Sequence, residues 1–202
     1  MEIEVTTTFL EMLSPQDFKP KTLDRDDVRV SKVEIPTPVI NHFFFVNVGR
    51  LWRWYSRLKW KLSDWKTMVE KETVTTWIGY VKGSPFGYIE LVRQAASVEI
   101  AFFGLLPQYI GMGLGGFLLS EAVRLAWELS PHRVWVHTCT LDHKNALNNY
   151  LARGFTIYHK EKKTEQIPND DDPIWTTPRF YDSLTEEYAA LTGVRSHLDV
   201  VK

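Results

Sequence analysis

The chain has 202 residues, of which 44% are hydrophobic, 13% aromatic and 24% charged, a composition of ordinary globular domains that excludes wholesale disorder. Its 24 Lys and Arg balance 25 Asp and Glu to a formal net charge of −1. No global field therefore draws nucleic acid or anionic lipid, neither is expected as a partner, and ligands must be found by local sites.

The length suits a single domain over residues 1–166 followed by an arm over 167–202. Residues 1–12 carry Glu2, Glu4 and Glu11 and no basic region before an apolar core, so 3–10 reads as a strand and not as a secretory leader. A second strand is predicted over 28–35. Thr37 followed by Pro38 starts a helix that should run through Asn47. A further helical piece is expected over 50–60, and Ser63 should cap a helix toward Lys71. The runs 73–81 and 86–92, joined by Lys82-Gly83-Ser84-Pro85, form a hairpin, and 97–106 adds a third consecutive strand.

Residues 100–120 carry no charge and reach the length of a membrane span, but five glycines and Pro107 would leave backbone groups unsatisfied in lipid. The run is instead a buried strand, a turn and a helix start. From Gly113 to Leu129 apolar residues recur at helical spacing, opposite Glu121, Arg124 and Glu128. A strand over 134–140, a helix over 144–153 ended by Gly154 and a last strand over 155–163 follow. A docking helix capped by Ser183 is expected over 183–193.

The most informative segment is the turn between strand and helix, Gln108-Tyr109-Ile110-Gly111-Met112-Gly113-Leu114-Gly115-Gly116. Its small residues leave backbone amides bare at the positive end of a helix dipole, an arrangement that binds concentrated negative charge such as a diphosphate. The turn matches G-x-G-x-x-G literally. A dinucleotide fold, however, would place an acid at the end of the next strand, where His137 and Thr138 stand. A phosphoryl-transfer loop would follow the glycines with Lys and Ser or Thr, where Phe117 and Leu118 stand.

With its flanks, the turn resembles the Q/R-x-x-G-x-G/A signature of the GNAT superfamily of acetyl-CoA-dependent N-acetyltransferases. Downstream, Ala146-Leu147-Asn148-Asn149-Tyr150-Leu151-Ala152-Arg153-Gly154-Phe155 resembles that family's A-[IL]-x-x-Y-x-x-x-G-F junction. The resemblance covers about 73–160. It implies an α/β architecture, a mixed and mostly antiparallel sheet flanked by helices and splayed between its fourth and fifth strands, here 97–106 and 134–140. It also implies acetyl-CoA as co-substrate and direct transfer to a primary amine in a ternary complex.

The resemblance assigns roles residue by residue. The backbone from Gln108 to Gly115 would hold the diphosphate. Gly104, Leu105 and Leu106 would form the bulged edge that pairs with pantetheine and polarises the thioester. Tyr150 would assist departure of the CoA sulfur, and either His143 or Asn145 would take the place of a CoA-contacting asparagine. An ammonium of pKa about 10.4 must lose a proton, which at pH 7 costs roughly 4 to 5 kcal/mol. Glu99 occupies the family's place for that base, with Glu90 on the neighbouring strand as its rival.

Trp52, Trp54, Tyr55, Trp60 and Trp65 fall within fourteen residues, interleaved with Arg50, Arg53, Arg57, Lys59 and Lys61. Trp52, Trp54, Tyr55 and Phe103 are candidates for an aromatic acceptor wall, and the cations could recognise a carboxylate on an amino-acid-like acceptor or simply solubilise a helix. Cys139 stands alone, which excludes an internal disulfide, agrees with a cytoplasmic protein and reads as a small apolar residue. No spacing suggests a metal site. The remaining alternatives are an acyl-CoA-sensing module without catalysis and an acetyltransferase for protein lysines or N-termini. The expected state is a monomer or homodimer.

Overall fold

The computed structural model describes residues 1–176 and 179–192. Seven strands, β1 (Glu2–Met12), β2 (Val28–Lys32), β3 (Val74–Val81), β4 (Ser84–Arg93), β5 (Ser97–Leu105), β6 (Arg133–Cys139) and β7 (Thr156–Gln166), form one sheet in the order β2-β3-β4-β5-β6-β1-β7. Every pairing is antiparallel except β5 with β6. The helices are α1 (Pro38–Gly49), α2 (Leu62–Val69), α3 (Leu114–Glu128), α4 (Ala146–Ala152) and α5 (Arg179–Thr192). Among the described residues no helix is long and apolar enough to cross a membrane.

Alternation along β4 divides the core between the two faces of the sheet. Ile89 and Leu91 pack under α3 with Leu114, Leu118, Ala122 and Val123, and Val98, Ile100, Val134 and Val136 join them. Tyr88 and Glu90 point to the opposite face, where Tyr88 packs with Phe44 and Val48 of α1. Each fully buried large apolar side chain contributes about 1.5–3 kcal/mol.

Several sequence expectations shift. β1 inserts between β6 and β7, so the last strand pairs with the first along Glu2–Glu11, which is why β7 extends to Gln166. The second strand ends at Lys32, short of 35. The helix expected over 50–60 is one 3-10 turn, Arg50–Trp52. Arg53 then adopts a left-handed conformation (φ 55°), reversing the chain so that Trp54 packs back on Phe45 and Phe102. Ser63 lies inside α2; the Lys61 amide donates to the Asp64 carboxylate at 2.9 Å. Ser183 caps no helix of its own but accepts the Leu62 amide at 2.9 Å, at the start of α2. The end expected at Gly193 lies outside the described residues.

The described residues beyond 166 pack against the helices on the α1 face of the sheet. Phe180 is fully buried with Trp65, Phe45 and Trp175, and its ring stacks on the His42 imidazole at 3.9 Å. His42 is 2% exposed, and burial lowers its pKa to about 4. The imidazole is therefore neutral when folded, whereas in the unfolded chain it takes up a proton near pH 6.5. Its contribution to stability is complete above that value and declines as pH falls toward 4. In parallel denaturations at pH 7.5 and 5, His42→Phe should keep the ring stack and lose less stability on acidification than the wild type.

On the same face Glu90 is 0% exposed and accepts both Arg57 nitrogens, Nη1 at 2.9 Å and Nη2 at 2.7 Å, while Asn41 Nδ2 donates to it at 3.1 Å. The Arg57 guanidinium lies 4.2 Å from the Phe102 ring centroid. Replacing one member leaves the other charged and buried, at a cost of about 3–5 kcal/mol. Glu90→Gln should lower the denaturation free energy by about that amount.

Candidate functional site

Register opens the site. β5 and β6 pair only over Ser97–Glu99 against Arg133–Trp135. Directly beyond, Ala101 is an extra residue, because Ile100 opposes Leu91 while Phe102 opposes Glu90. Such a bulge bends its strand and ends pairing on the outer edge. The irregularity expected at 104–106 thus sits earlier, at Ala101. From there β5 and β6 diverge around a cleft of about 620 Å³, with Ile100 to Leu105 on one wall and His137 and Cys139 on the other. Gly104 and Leu105 therefore face the cleft, whereas Leu106 is buried and its amide donates to Phe86 O at 2.9 Å.

One end of the cleft is the glycine turn. Gly111 (φ 88°) and Gly113 (φ 78°) adopt left-handed conformations, and a Cβ at either position would meet nothing within 4 Å. Conformation, not crowding, demands glycine here, and it leaves the backbone open beside the start of α3, whose first amides lack intrahelical partners. Ile110, Gly111, Gly113, Gly115 and Gly116 line the cleft. The side chains of its neighbours turn elsewhere. Leu114 is buried in the core, Tyr109 packs near Phe86 at 6.2 Å, and Gln108 and Met112 are exposed. These four are candidates through backbone atoms only.

Two cations lie over the first turn of α3 that sequence reading missed. A Cβ on Gly116 would come within 2.6 Å of Lys21 Cδ and 2.7 Å of Arg153 Nη1. The Lys21 amide donates to Ser120 Oγ at 2.7 Å, and that hydroxyl donates to Gly116 O at 2.9 Å. Burial lowers the Arg153 pKa. Bare amides, a helix N-terminus and two cations suit the donor set to a diphosphate. No local pattern announces Lys21, which reaches the turn only through the path of the 13–24 segment.

Tyr150 also lines the cleft, 6% exposed, its ring 6.4 Å from Phe103 and 6.1 Å from Phe155. Its hydroxyl has no hydrogen-bond partner among the described residues. Burial, reinforced by Asp142, pushes its pKa well above the usual phenol range. Asp142 Oδ2 accepts Thr138 Oγ1 at 2.7 Å and the Cys139 amide at 3.0 Å. Burial and the same carboxylate raise the Cys139 thiol, consistent with an inert cysteine. His143 and Asn145 both line the cleft, His143 edge-on to Trp52 at 5.0 Å, with its Nδ1 accepting the Asn145 amide at 3.1 Å.

The aromatic cluster divides in two. Trp52, Trp54, Tyr55 and Phe103 line the cleft, whereas Trp60 and Trp65 belong to the core beneath α5. Tyr55 donates to Glu165 of β7, and burial together with that bond raises its pKa to about 12. Two of the five cations are engaged. Arg57 is bound to Glu90, Arg53 pairs with Asp170 at 2.6 Å, and Arg50, Lys59 and Lys61 are exposed away from the cleft.

Neither glutamate expected as the base touches the cleft. Both Glu90 oxygens are bound, which makes it the anchor of Arg57 and corrects its reading as a proton acceptor. Glu99 lies just behind the wall, accepting Gln94 Nε2 at 3.3 Å, and its other oxygen stands 3.7 Å from His137 Nδ1. Burial, then the Glu90 charge, raises the Glu99 pKa. His137 itself is on the wall, 45% exposed by side chain, and burial of its flank lowers its pKa. Among the described residues no cluster of His, Cys, Asp and Glu could hold a metal.

The sequence model of the Acetyltransferase (GNAT) family matches residues 40–155. No curated protein matches. Similar solved structures include a GCN5-related N-acetyltransferase from Sphaerobacter thermophilus at 13% identity and TM-score 0.58, covering 79% of this chain and 51% of that one. Another, from Kribbella flavida, has 14% identity and TM-score 0.58, covering 83% and 60%. A putative GNAT-family acetyltransferase from Novosphingobium aromaticivorans has 12% identity and TM-score 0.54, covering 80% and 64%. This chain thus spans between half and two thirds of the length of those chains, and at such identities the likeness concerns the fold. The family match spans more than half of the sequence, and with it the splayed sheet and glycine turn make this chain a member of the GNAT acetyltransferase family.

Proposed function

We propose that the protein moves an acetyl group from acetyl-CoA to a small primary amine by direct transfer. The observation that carries this reading is that a single cleft is lined at once by the bare-amide turn, by Tyr150 and by the aromatic wall of Trp52, Trp54 and Tyr55. In this reading the amides of 111–116, with Lys21 and Arg153, hold the diphosphate of CoA. When bound, CoA supplies the activated acetyl group as its thioester. The unpaired edge of β5 from Ile100 to Leu105 aligns the pantetheine arm, and its amides orient the carbonyl.

Tyr150 keeps its proton at every working pH, because its pKa is raised far above neutrality. It serves as hydrogen-bond donor to the departing sulfur and as a relay, not as a group that stays ionised. At the acceptor end, Asp142 and Glu165 supply negative charge beside aromatic rings, while Arg57 is held by Glu90 and Arg53, also on the cleft wall, gives Nη2 to Asp170 and leaves Nη1 without a partner among the described residues. The two carboxylates and the rings support an amine that arrives as a cation with an apolar or aromatic body. The aromatic wall supports a small acceptor over a protein terminus.

Three measurements test this reading. Calorimetry should show CoA and acetyl-CoA binding with the dependence on salt of a charged cradle, and no heat at high micromolar ligand would overturn the proposal. A panel of primary amines, followed by release of free thiol from acetyl-CoA, should single out apolar or aromatic amines; thiol release that no amine accelerates would contradict transfer. Tyr150→Phe should lower kcat about tenfold or more while the Kd for CoA changes less than about threefold.

A further inference from the structure

We infer that the group receiving the proton of the acceptor amine is His137, and that Glu99 acts through it as a positioning residue. This rests on the acetyl-transfer reading above and names the base within the same site. The cleft wall contains His137 and not Glu99. The two meet edge to edge at the last rung of the β5–β6 ladder, where Glu99 opposes Trp135, and Glu99 Oε1 faces His137 Nδ1 at 3.7 Å. That separation suits an ion pair and exceeds a hydrogen bond, but catalytic contacts of this kind tighten when substrate fills a site.

The chemistry follows from which nitrogen faces which neighbour. A carboxylate beside Nδ1 favours the neutral tautomer with its proton there, and Nε2 is left as a lone pair on an imidazole that lines the cleft. The rings of Phe9 and Trp135 stand 5.9 Å and 6.2 Å from the imidazole and limit its rotation. Charged or titratable neighbours come from each side. Glu99 belongs to β5, Asp142 to the loop after β6, and His159 of β7 lies across the Phe9 ring, 5.5 Å from it. Behind Glu99, the Glu90 carboxylate disfavours and the Arg57 guanidinium favours its ionised form.

Burial lowers the His137 pKa, so the imidazole is already neutral at pH 7 and ready to accept a proton. In the step itself, the ammonium proton passes to Nε2 and thence to water. The freed lone pair forms the N–C bond and the C–S bond breaks. The second nitrogen proton reaches the sulfur through the Tyr150 hydroxyl. The balance is ammonium plus thioester giving amide, thiol and one proton.

The experiment has two arms. Thiol release is measured with 2-phenylethylamine and with tryptamine across pH 5.5–9 for the wild type, His137→Gln and Glu99→Gln. His137→Gln should lower kcat about 100-fold, whereas Glu99→Gln should lower it about tenfold and move the acid limb of kcat/KM downward, because the imidazolium loses its counter-charge. If His137→Gln retains turnover within about threefold of wild type while Glu99→Gln abolishes it, the assignment is overturned in favour of Glu99.

The second arm needs no turnover. Nitrogen NMR of protein labelled in its histidines should show His137 with its proton on Nδ1 in the wild type, and Glu99→Gln should shift it toward Nε2 and lower its titration midpoint. An unchanged tautomer and midpoint in Glu99→Gln would dissolve the pair even if His137→Gln failed to fold. Should CoA bind and the pair titrate as described while neither amine yields thiol above background, the transfer reading falls and the base assignment falls with it. The pairing itself then stands as structure only.

Discussion

Three rungs of parallel ladder, Ser97–Glu99 against Arg133–Trp135, join the two halves of the sheet, and all of the proposed chemistry lies where that ladder stops. Had the strands continued in register, their amides and carbonyls would be consumed by each other. The extra residue at Ala101 bends β5 instead and leaves the stretch from Ile100 to Leu105 facing an open cleft. The same divergence carries the chain into the glycine turn, so one interruption supplies both an unpaired strand edge and a helix N-terminus pointing into the gap.

Environment sorts the carboxylates around this gap into different roles. Glu90 is sealed by Arg57 and Asn41 and acts as a strut that seats the guanidinium on Phe102, next to the bulge. Glu99, one strand away, is half-enclosed, its pKa raised by burial, and one of its oxygens faces His137 at 3.7 Å. Asp142 has one oxygen fixed by Thr138 and the Cys139 amide and lies beside Tyr150. Glu165 arrives from β7 and binds Tyr55. Four chemically similar groups thus serve as strut, orienter and local field because their solvation and partners differ.

Segments far from the motifs in sequence wall and brace the site. β1 fills the slot between β6 and β7, so Val5 and Thr7 line the cleft and the strand bearing Glu165 is held next to it. The segment after β1 then lays Lys21 over the first turn of α3. On the opposite face, Phe180 of α5 stacks on His42 of α1 and covers Trp65, and Ser183 receives the first amide of α2. The helices that hold Trp54 and Arg57 in place are therefore braced by residues far along the chain.

Local chemistry was readable in the sequence wherever a short stretch determines its own conformation. The glycines at 111 and 113 demand left-handed backbone, the 3.6-residue period of α3 demands a buried stripe, and the alternation of 73–106 demands a meander; none of these needs knowledge of distant residues. Tyr150 and the wall residues Trp52, Trp54 and Tyr55 were legible for a related reason, since each sits in a motif or cluster visible in a short window. What the sequence left open was partnership across the chain. That Glu90 is bound by Arg57, that His137 and not Glu99 meets the cleft, that Lys21 and Arg153 converge on Gly116 and that β1 separates β6 from β7 are decided by strand order and register. Those follow from how the whole chain buries its apolar faces together, a balance that no single segment carries.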